Sequence, residues 1–238
     1  MVLYRLIFFG VSLMRLYVGD DILDFSDDEL NDRYIDEGLE AKVYDYGDEV
    51  LKIYKDYCPK IRLSHNDALR LSALDTNRVL LPRKIIHNDN GDFIGYTTKR
   101  IHGVFKRNVL RKDILDFVDE LDLIYDDLKM LSDINYNIAD FTMKNVVYDG
   151  GLYFVDPGSF MQTRIDDDRF KYSVNTWTLN EFLLNEVFHM VMLTKKQRNS
   201  FEDNFDRSDY IGDYIRCDIE GKENIRQYVK RIAKVNQR

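Results

Sequence analysis

The chain has 238 residues, 45% of them hydrophobic and 32% charged, with a formal net charge of −8. That balance fits a soluble globular chain of one large domain or two small lobes, and the acid excess argues against an affinity built on nucleic-acid phosphates. The two cysteines, Cys58 and Cys217, stand far apart, and His65, His87, His102 and His189 are scattered. This spacing argues against a disulfide framework or a zinc site.

The chain opens with "MVLYRLIFFGVSLMRLYVGDD". Arg5 and Arg15 interrupt this apolar stretch, and the run between them is too short to span a bilayer. No small-x-small cleavage site follows, only "YVGDDILDF". The segment reads as a docking strand or helix, or as an upstream start with Met14 the true first residue. Residues 1–32 are set apart as an N-terminal extension. A cytoplasmic chain with no membrane partner is expected.

From there to about residue 103 the pattern is mostly strand. "AKVYDY" and "EVLKIY" alternate around Gly47-Asp48, a hairpin signal. "RKIIHNDNGDFIGYTTKRI" does the same around Asn90-Gly91. Between the hairpins "SHNDALRLSALDT" reads as a helix with Leu69, Leu71 and Leu74 inward, and Pro82 follows it.

Beyond residue 112 the period changes. Ile114, Phe117, Val118, Leu121, Ile124, Leu128 and Leu131 fall on one helical stripe. Asp116, Asp119, Glu120, Asp126 and Asp127 lie off it and read as a solvated face. "NTWTLNEFLLNEVFHMVM" is apolar on nearly every side and predicts a buried helix, with Trp177 in the core rather than stacked on a ligand. Polar helices close the chain. Their basic cluster, Arg226, Lys230, Arg231, Lys234 and Arg238, reads as a solvated face rather than a nucleic-acid site.

Two stretches carry chemistry. In "IADFTMKNVVYDGGLYFVDPGSF" the turn Asp149-Gly150-Gly151 would bring the strand ends at Asn145 and Asp156 side by side. An amide and a carboxylate there could share magnesium, which takes one or two protein oxygens and leaves the rest to phosphate and water. Asp140 precedes them by a short loop, free to orient a hydroxyl, and Lys144 could neutralise a transferring phosphoryl group. Acids at hairpin ends are also ordinary turn formers. In "YIDEGLEAKVYDYGDEVLKIYK", Gly38 and Ala41 are small enough for backbone N–H groups to approach phosphates. Lys52 alternates away from Leu51 and Ile53, as an anion-holding lysine or an exposed strand lysine would.

In their order and spacing these segments resemble the protein-kinase-like superfamily over residues 33 to 191. "DEGLEAKV" stands at the glycine loop, Lys52 at the strand lysine, "DFTMKN" at D-x-x-x-x-N, and "DPG" at D-F-G. "VNTWTLNEFLLNEVF" resembles the buried central helix, with Asn175 in place of its acid. The resemblance implies an α+β, two-lobed fold: a small antiparallel N-lobe with one helix at 33–103, and a mainly helical C-lobe at 104–238. It implies ATP and magnesium as cofactors. Gly38 and Ala41 would cover the phosphates, Val43 the adenine, and Lys52 would contact the α- and β-phosphates. Asn145 and Asp156 would hold the metal, and Asp140 would serve the acceptor hydroxyl. Arg100, Ile101 and His102 of the connector would face the adenine edge, and Asp67 would stand in for the helix glutamate that pairs with Lys52.

The departures are a single loop glycine, Asp36 where a glycine is usual, the missing helix glutamate, and Ile138-Ala139 where His-Arg is usual. Only 19 positions separate Asp156 from Asn175, and no A-P-E is present. The implied function is an ATP- and magnesium-dependent phosphotransferase acting on protein serine or threonine. The alternatives are a small-molecule kinase of the same fold and a pseudokinase serving as a nucleotide-binding or interaction module. Transfer of AMP is a remoter option.

Overall fold

A computed structural model describes residues 13–55, 63–103, 107–138, 141–156, 160–162, 170–191, 194, 209–219 and 221–235. The chain is mixed α/β and divides into two compact units. One runs to Ala73 and takes back Pro82–Arg100; the other takes Leu74–Leu81 and everything from Ile101.

The first unit is a seven-stranded sheet in the order β2-β1-β6-β7-β5-β4-β3, antiparallel throughout. Its strands are β1 (Leu13–Val18), β2 (Asp21–Ser26), β3 (Tyr34–Glu37), β4 (Ala41–Tyr46), β5 (Glu49–Tyr54), β6 (Ile85–His87) and β7 (Phe93–Lys99). Both hairpins read from the sequence form, β4–β5 at Gly47-Asp48 and β6–β7 at Asn90-Gly91. Residues 13–26, set aside in the sequence as part of an extension, are the first two strands. β1 joins β6 through Tyr17 opposite His87, so this segment extends the sheet. Helix α1 (Asp27–Asp32) follows, its start fixed by the Ser26–Glu29 capping box.

Period-2 alternation sorts the sheet's two faces. Leu51, Ile53 and Tyr44 join Leu16, Val18, Phe25 and Ile86 in one buried cluster. Ala41, Val43, Lys52, Tyr54 and Tyr96 share the other face, since Ala41 pairs with Tyr54, Val43 with Lys52, and Lys52 with Tyr96. Gly95 lets β7 come close: a Cβ there would fall 2.0 Å from the Lys52 carbonyl oxygen. Helix α2 (His65–Ser72) is capped by Ser64 and buries Ala68 and Leu71. Leu69, expected inward, is 47% exposed. Ala68, three residues before Leu71, shares its side of the helix, while Leu69 is rotated off that side.

The second unit centres on α3 (Ile114–Asp133), whose seven predicted stripe residues are all buried. Strands β9 (Val146–Tyr148) and β10 (Leu152–Phe154) form the expected hairpin. A second ladder joins β8 (Tyr136–Ile138) to β11 (Phe160–Gln162), which the sequence reading did not contain. Helix α4 (Ser173–Phe182) runs into a π-helical turn, Leu183–Val187, and a 3₁₀ turn, Phe188–Val191; α5 (Ile211–Asp218) and α6 (Ile225–Val235) come later in the chain. Among the described residues no helix is long and apolar enough to cross a membrane.

Two expectations for this unit are corrected. The α3 acids are not simply a solvated face. Asp127 is fully buried and accepts the backbone N–H groups of Asn77, Arg78 and Val79 at 3.0, 2.6 and 2.8 Å. Glu120 pairs with Arg78 at 3.0 Å, and Asp119 and Asp122 both hold Arg216. A carboxylate leaves water only when hydrogen bonds replace its hydration, and three N–H donors do that for Asp127. Helix α4 is not buried all round, and Trp177 is 50% exposed. Its buried residues are Asn175, Thr176, Leu179, Asn180 and Phe182, leaving Val174 and Trp177 outward. The amides go inside because they have partners there: Asn180 accepts from the Ile211 N–H and donates to the Asp209 carbonyl. In the basic cluster, Arg226, Lys230 and Lys234 are exposed, whereas Arg231 is tied to Glu223 at 2.6 Å and Asp218 at 3.1 Å. Arg238 lies outside the described residues.

Candidate active site

In the first unit the structure brings Ala41, Val43 and Lys52 onto one sheet face. Lys52 is half-buried, and its ammonium lies 5.7 Å from the Tyr96 ring centroid, within cation–π range. Tyr54 stands edge-on to Tyr96 at 6.0 Å, and burial holds its phenol well above the ordinary range. Gly38 heads a tight turn that its N–H closes on the Ala41 carbonyl at 2.9 Å. A Cβ at Gly38 would meet nothing within 4 Å, so the turn's own packing does not demand glycine. Asp36, a concern next to a triphosphate, folds its carboxylate back onto the Glu37 N–H at 2.8 Å. Asp67, in the first turn of α2, accepts the hydroxyl of the capping Ser64 at 2.6 Å. Arg100 ends this unit. Its N–H goes to the Asp48 carbonyl at 2.9 Å and its guanidinium to Asp45. The Gly47 N–H, and after it Arg100, keeps the Asp45 carboxyl below its ordinary pKa.

In the second unit the β9–β10 register continues past the strand ends. The Val155 N–H donates to the Asn145 carbonyl at 2.8 Å, so Asn145 lies opposite Val155, the residue before Asp156. Both side chains are half-buried, and Lys144 beside them is exposed. Asp140 lies outside the described residues. Ile101 and His102 lead into this unit, and the His102 N–H donates to Asp149 Oδ2 at 3.2 Å. Gly103 passes so close that a Cβ would fall 2.3 Å from the Tyr148 carbonyl oxygen.

Residues that the sequence did not place at the site brace it. Segment 78–80 runs beside β10 through Leu80 N–H to Phe154 O and Phe154 N–H to Arg78 O, both 2.8 Å. Asp127 holds that segment from α3, so a buried carboxylate supports the strand that leads to Asp156. Glu120 accepts the Leu152 N–H at 3.2 Å. Glu186, on the π-helical turn of Leu183–Val187, accepts the Met143 N–H at 2.5 Å, two residues before Asn145. A π-turn at such a position is a frequent mark of a functional site.

Asn175 supplies the fourth brace. Its Oδ1 accepts the Ile138 N–H at 2.9 Å, and its Nδ2 lies within 3.2 Å of the Leu128 carbonyl, the Ser132 hydroxyl and the Tyr136 carbonyl. The amide therefore ties α3 to β8 just before Asp140. A carboxylate could accept from Ile138 but could not donate to the two carbonyls. In the sequence Asp127 is one of five acids off the α3 stripe, with nothing to set it apart. For Glu186 only a polar residue inside an apolar run marked the position, whereas Asn175 was marked by the resemblance, as the residue in place of the central helix's acid.

Among the described residues no group of three or more His, Cys, Asp or Glu side chains is placed to hold a metal. The candidate donor set is one amide and one carboxylate, the small hard-oxygen set that magnesium accepts from protein. No protein family matches the chain, and no curated protein does. Among solved structures the chain is similar to the kinase domain of Mycobacterium tuberculosis PknI, with 11% identity over 64% of this chain and 71% of that one, and a TM-score of 0.47.

Proposed function

We propose that this chain is an ATP- and magnesium-dependent phosphotransferase of the protein-kinase-like superfamily, acting on protein serine or threonine hydroxyls in the cytoplasm. The observation that carries the reading is Asn145 opposite Val155, the residue before Asp156, at the braced end of β9–β10. These two residues hold the magnesium ion, which supplies charge neutralisation at the phosphates. Lys52 contacts the α- and β-phosphates, the Gly38–Ala41 turn covers them, and Val43 packs on the adenine. Asp140 orients the acceptor hydroxyl and Lys144 meets the negative charge of the moving phosphoryl group. Catalysis is then mainly positioning and electrostatic stabilisation. The short stretch from Asp156 to Asn175 leaves little platform for a protein substrate, and a small-molecule hydroxyl is the alternative acceptor. Label transfer from ATP in the presence of magnesium tests the reading. Wild type is expected to transfer, and Asp140→Ala and Asp156→Ala to lose at least about a hundredfold. Equal transfer by all three sinks the assignment.

One observation favours a pseudokinase as the second reading. The N–H groups of Arg100 and His102 are already donated to Asp48 and Asp149, so an adenine contact at these residues must use carbonyls or displace those bonds. A thermal shift separates the readings, since a ligand that binds only the folded chain raises its melting temperature. No shift at millimolar ATP with magnesium favours the structural role.

A further inference from the structure

Helix α6 holds two kinds of cation. Arg231 is part-buried and tied to Glu223 at 2.6 Å and Asp218 at 3.1 Å. Arg226, Lys230 and Lys234 stand at i, i+4 and i+8 and are all exposed, and exposed Lys222 adds one more step ahead of the helix. Among the described residues none of these four meets an acid. The other side of α6 is buried through Ile225, Tyr228, Val229, Ile232 and Ala233, so the row is the helix's outer face. Residues four apart on a helix are neighbours, so the row sets like charges side by side, where glutamates in alternation would attract. The helix dipole does not account for it. It favours cations at a C-terminus and disfavours them in the first turn, where Arg226 stands and no acid is present.

A cleft opens where the row begins. Its volume is about 610 Å³, and it is lined by Asp113, Leu115, Asp116, Ile219, Gly221 and Lys222. Its walls are tied together. The Ile114 N–H donates to the Glu223 carbonyl at 2.9 Å and the Ile225 N–H to the Lys112 carbonyl at 3.1 Å, which joins the head of α3 to the head of α6. Leu115 is 36% exposed and Ile219 half-buried, so the cleft has an apolar part. Asp113 accepts the Leu115 N–H at 2.9 Å, and Asp116 is exposed.

We propose that the cleft and the row form one docking surface for an acidic helical segment of a partner protein. That segment sets an apolar side chain against Leu115 and Ile219 and lays carboxylates along Arg226, Lys230 and Lys234. Charge complementarity carries the choice: the cations have no acid of their own chain to meet. Four residues of helix rise about 6 Å, so carboxylates four apart on a partner helix repeat at the spacing of the row. The row alone would suit a nucleic-acid backbone as well. The cleft would not, because Asp113 and Asp116 repel a phosphate there, whereas a protein segment can place an uncharged group at that point. The net charge of −8 also opposes the approach of a long polyanion. This surface stands apart from the phosphotransferase reading, and neither depends on the other.

Fluorescence anisotropy of the full chain with a labelled alanine-based helical peptide tests it. The peptide carries glutamates at every fourth position and a leucine at each end. A second peptide has the same composition with the glutamates spread around the helix, and a single-stranded oligothymidylate is the third probe. Wild type is expected to bind the first peptide about tenfold more tightly than either of the others, and to lose affinity as salt rises. Lys230→Glu and Lys234→Glu are each expected to weaken that binding about tenfold. Both side chains are exposed, and circular dichroism checks that each variant keeps its fold. Leu115→Ser is expected to weaken binding about fivefold with the salt dependence kept, since it removes an apolar contact. Equal affinity for the two peptides overturns the docking surface, as do Lys230→Glu, Lys234→Glu or Leu115→Ser variants that bind as wild type does. Tighter binding of the oligothymidylate than of the first peptide also overturns it and gives the row to nucleic acid. Failure of all three probes to bind overturns it too and returns the row to a solvated face.

Discussion

In the β4–β5 hairpin Lys52 sits mid-strand, between Val43 on one side and Tyr96 on the other, whereas Asn145 and Asp156 sit just past the paired ends of β9 and β10. The surroundings of Lys52 follow from two registers and the alternation of a strand. Those of Asn145 and Asp156 follow from polar side chains far away in the sequence. Asp127 reaches the 77–79 backbone across about fifty residues, and Glu186 reaches Met143 across 43. A sheet positions a residue through its neighbours' backbones; a hairpin end must be held from outside, and buried hydrogen bonds do that holding here.

The comparison breaks most visibly at Asp127. Asp127→Ala strands three backbone N–H groups and is expected to cost about 3 kcal/mol or more in urea unfolding. Lys52→Met is expected to change stability by less than about 1 kcal/mol, because the side chain is only half-buried and methionine keeps much of its apolar stem. Similar losses for the two would erase the distinction between the hairpins.

A smaller effect sharpens it within α4. Asn175→Ala is expected to cost about 2 kcal/mol, and Asn175→Asp to recover little, because the carboxylate faces the Leu128 and Tyr136 carbonyls. Trp177→Ala, two residues on, is expected to cost less than about 1 kcal/mol, against the 3–5 typical of a core tryptophan. A Trp177→Ala loss of core size would restore the buried helix that the sequence predicts.

The smallest effect belongs to the sheet's rim. Asp45 is held below its ordinary pKa by the Gly47 N–H and by Arg100. A depressed carboxylate contributes stability above the ordinary carboxylate range and loses it as pH falls through the folded value. The group is open to solvent, so the contribution is small. Melting temperature followed downward from pH 6 is expected to fall less steeply below about pH 4 in Asp45→Asn than in wild type. Superimposable slopes would contradict the assignment.

What was legible in the sequence divides along the same line. The β4–β5 and β6–β7 hairpins, the α3 stripe and the β9–β10 hairpin were readable, because each rests on a local period and a turn residue. Strands β1 and β2 were not read as part of the sheet, since their membership depends on β6, some seventy residues on. The ladder of β8 with β11 was missed for the same reason. Trp177 misled because hydropathy ranks tryptophan inside and asparagine outside. Here Asn175 and Asn180 have partners inside, and the Trp177 ring stays half exposed. Asp127 looked like one more acid on a wet helix face, and only the fold brings the 77–79 backbone to it.

The central claim is that Asn145 and Asp156 together hold a magnesium ion that carries nucleotide phosphates. The most direct test is the magnesium dependence of ATP affinity, measured by calorimetry on wild type and Asp156→Ala. The account predicts that magnesium tightens ATP binding to wild type by at least about tenfold, and that Asp156→Ala keeps its magnesium-free affinity but loses this gain. Equal magnesium dependence in both proteins, or none in wild type, would contradict it.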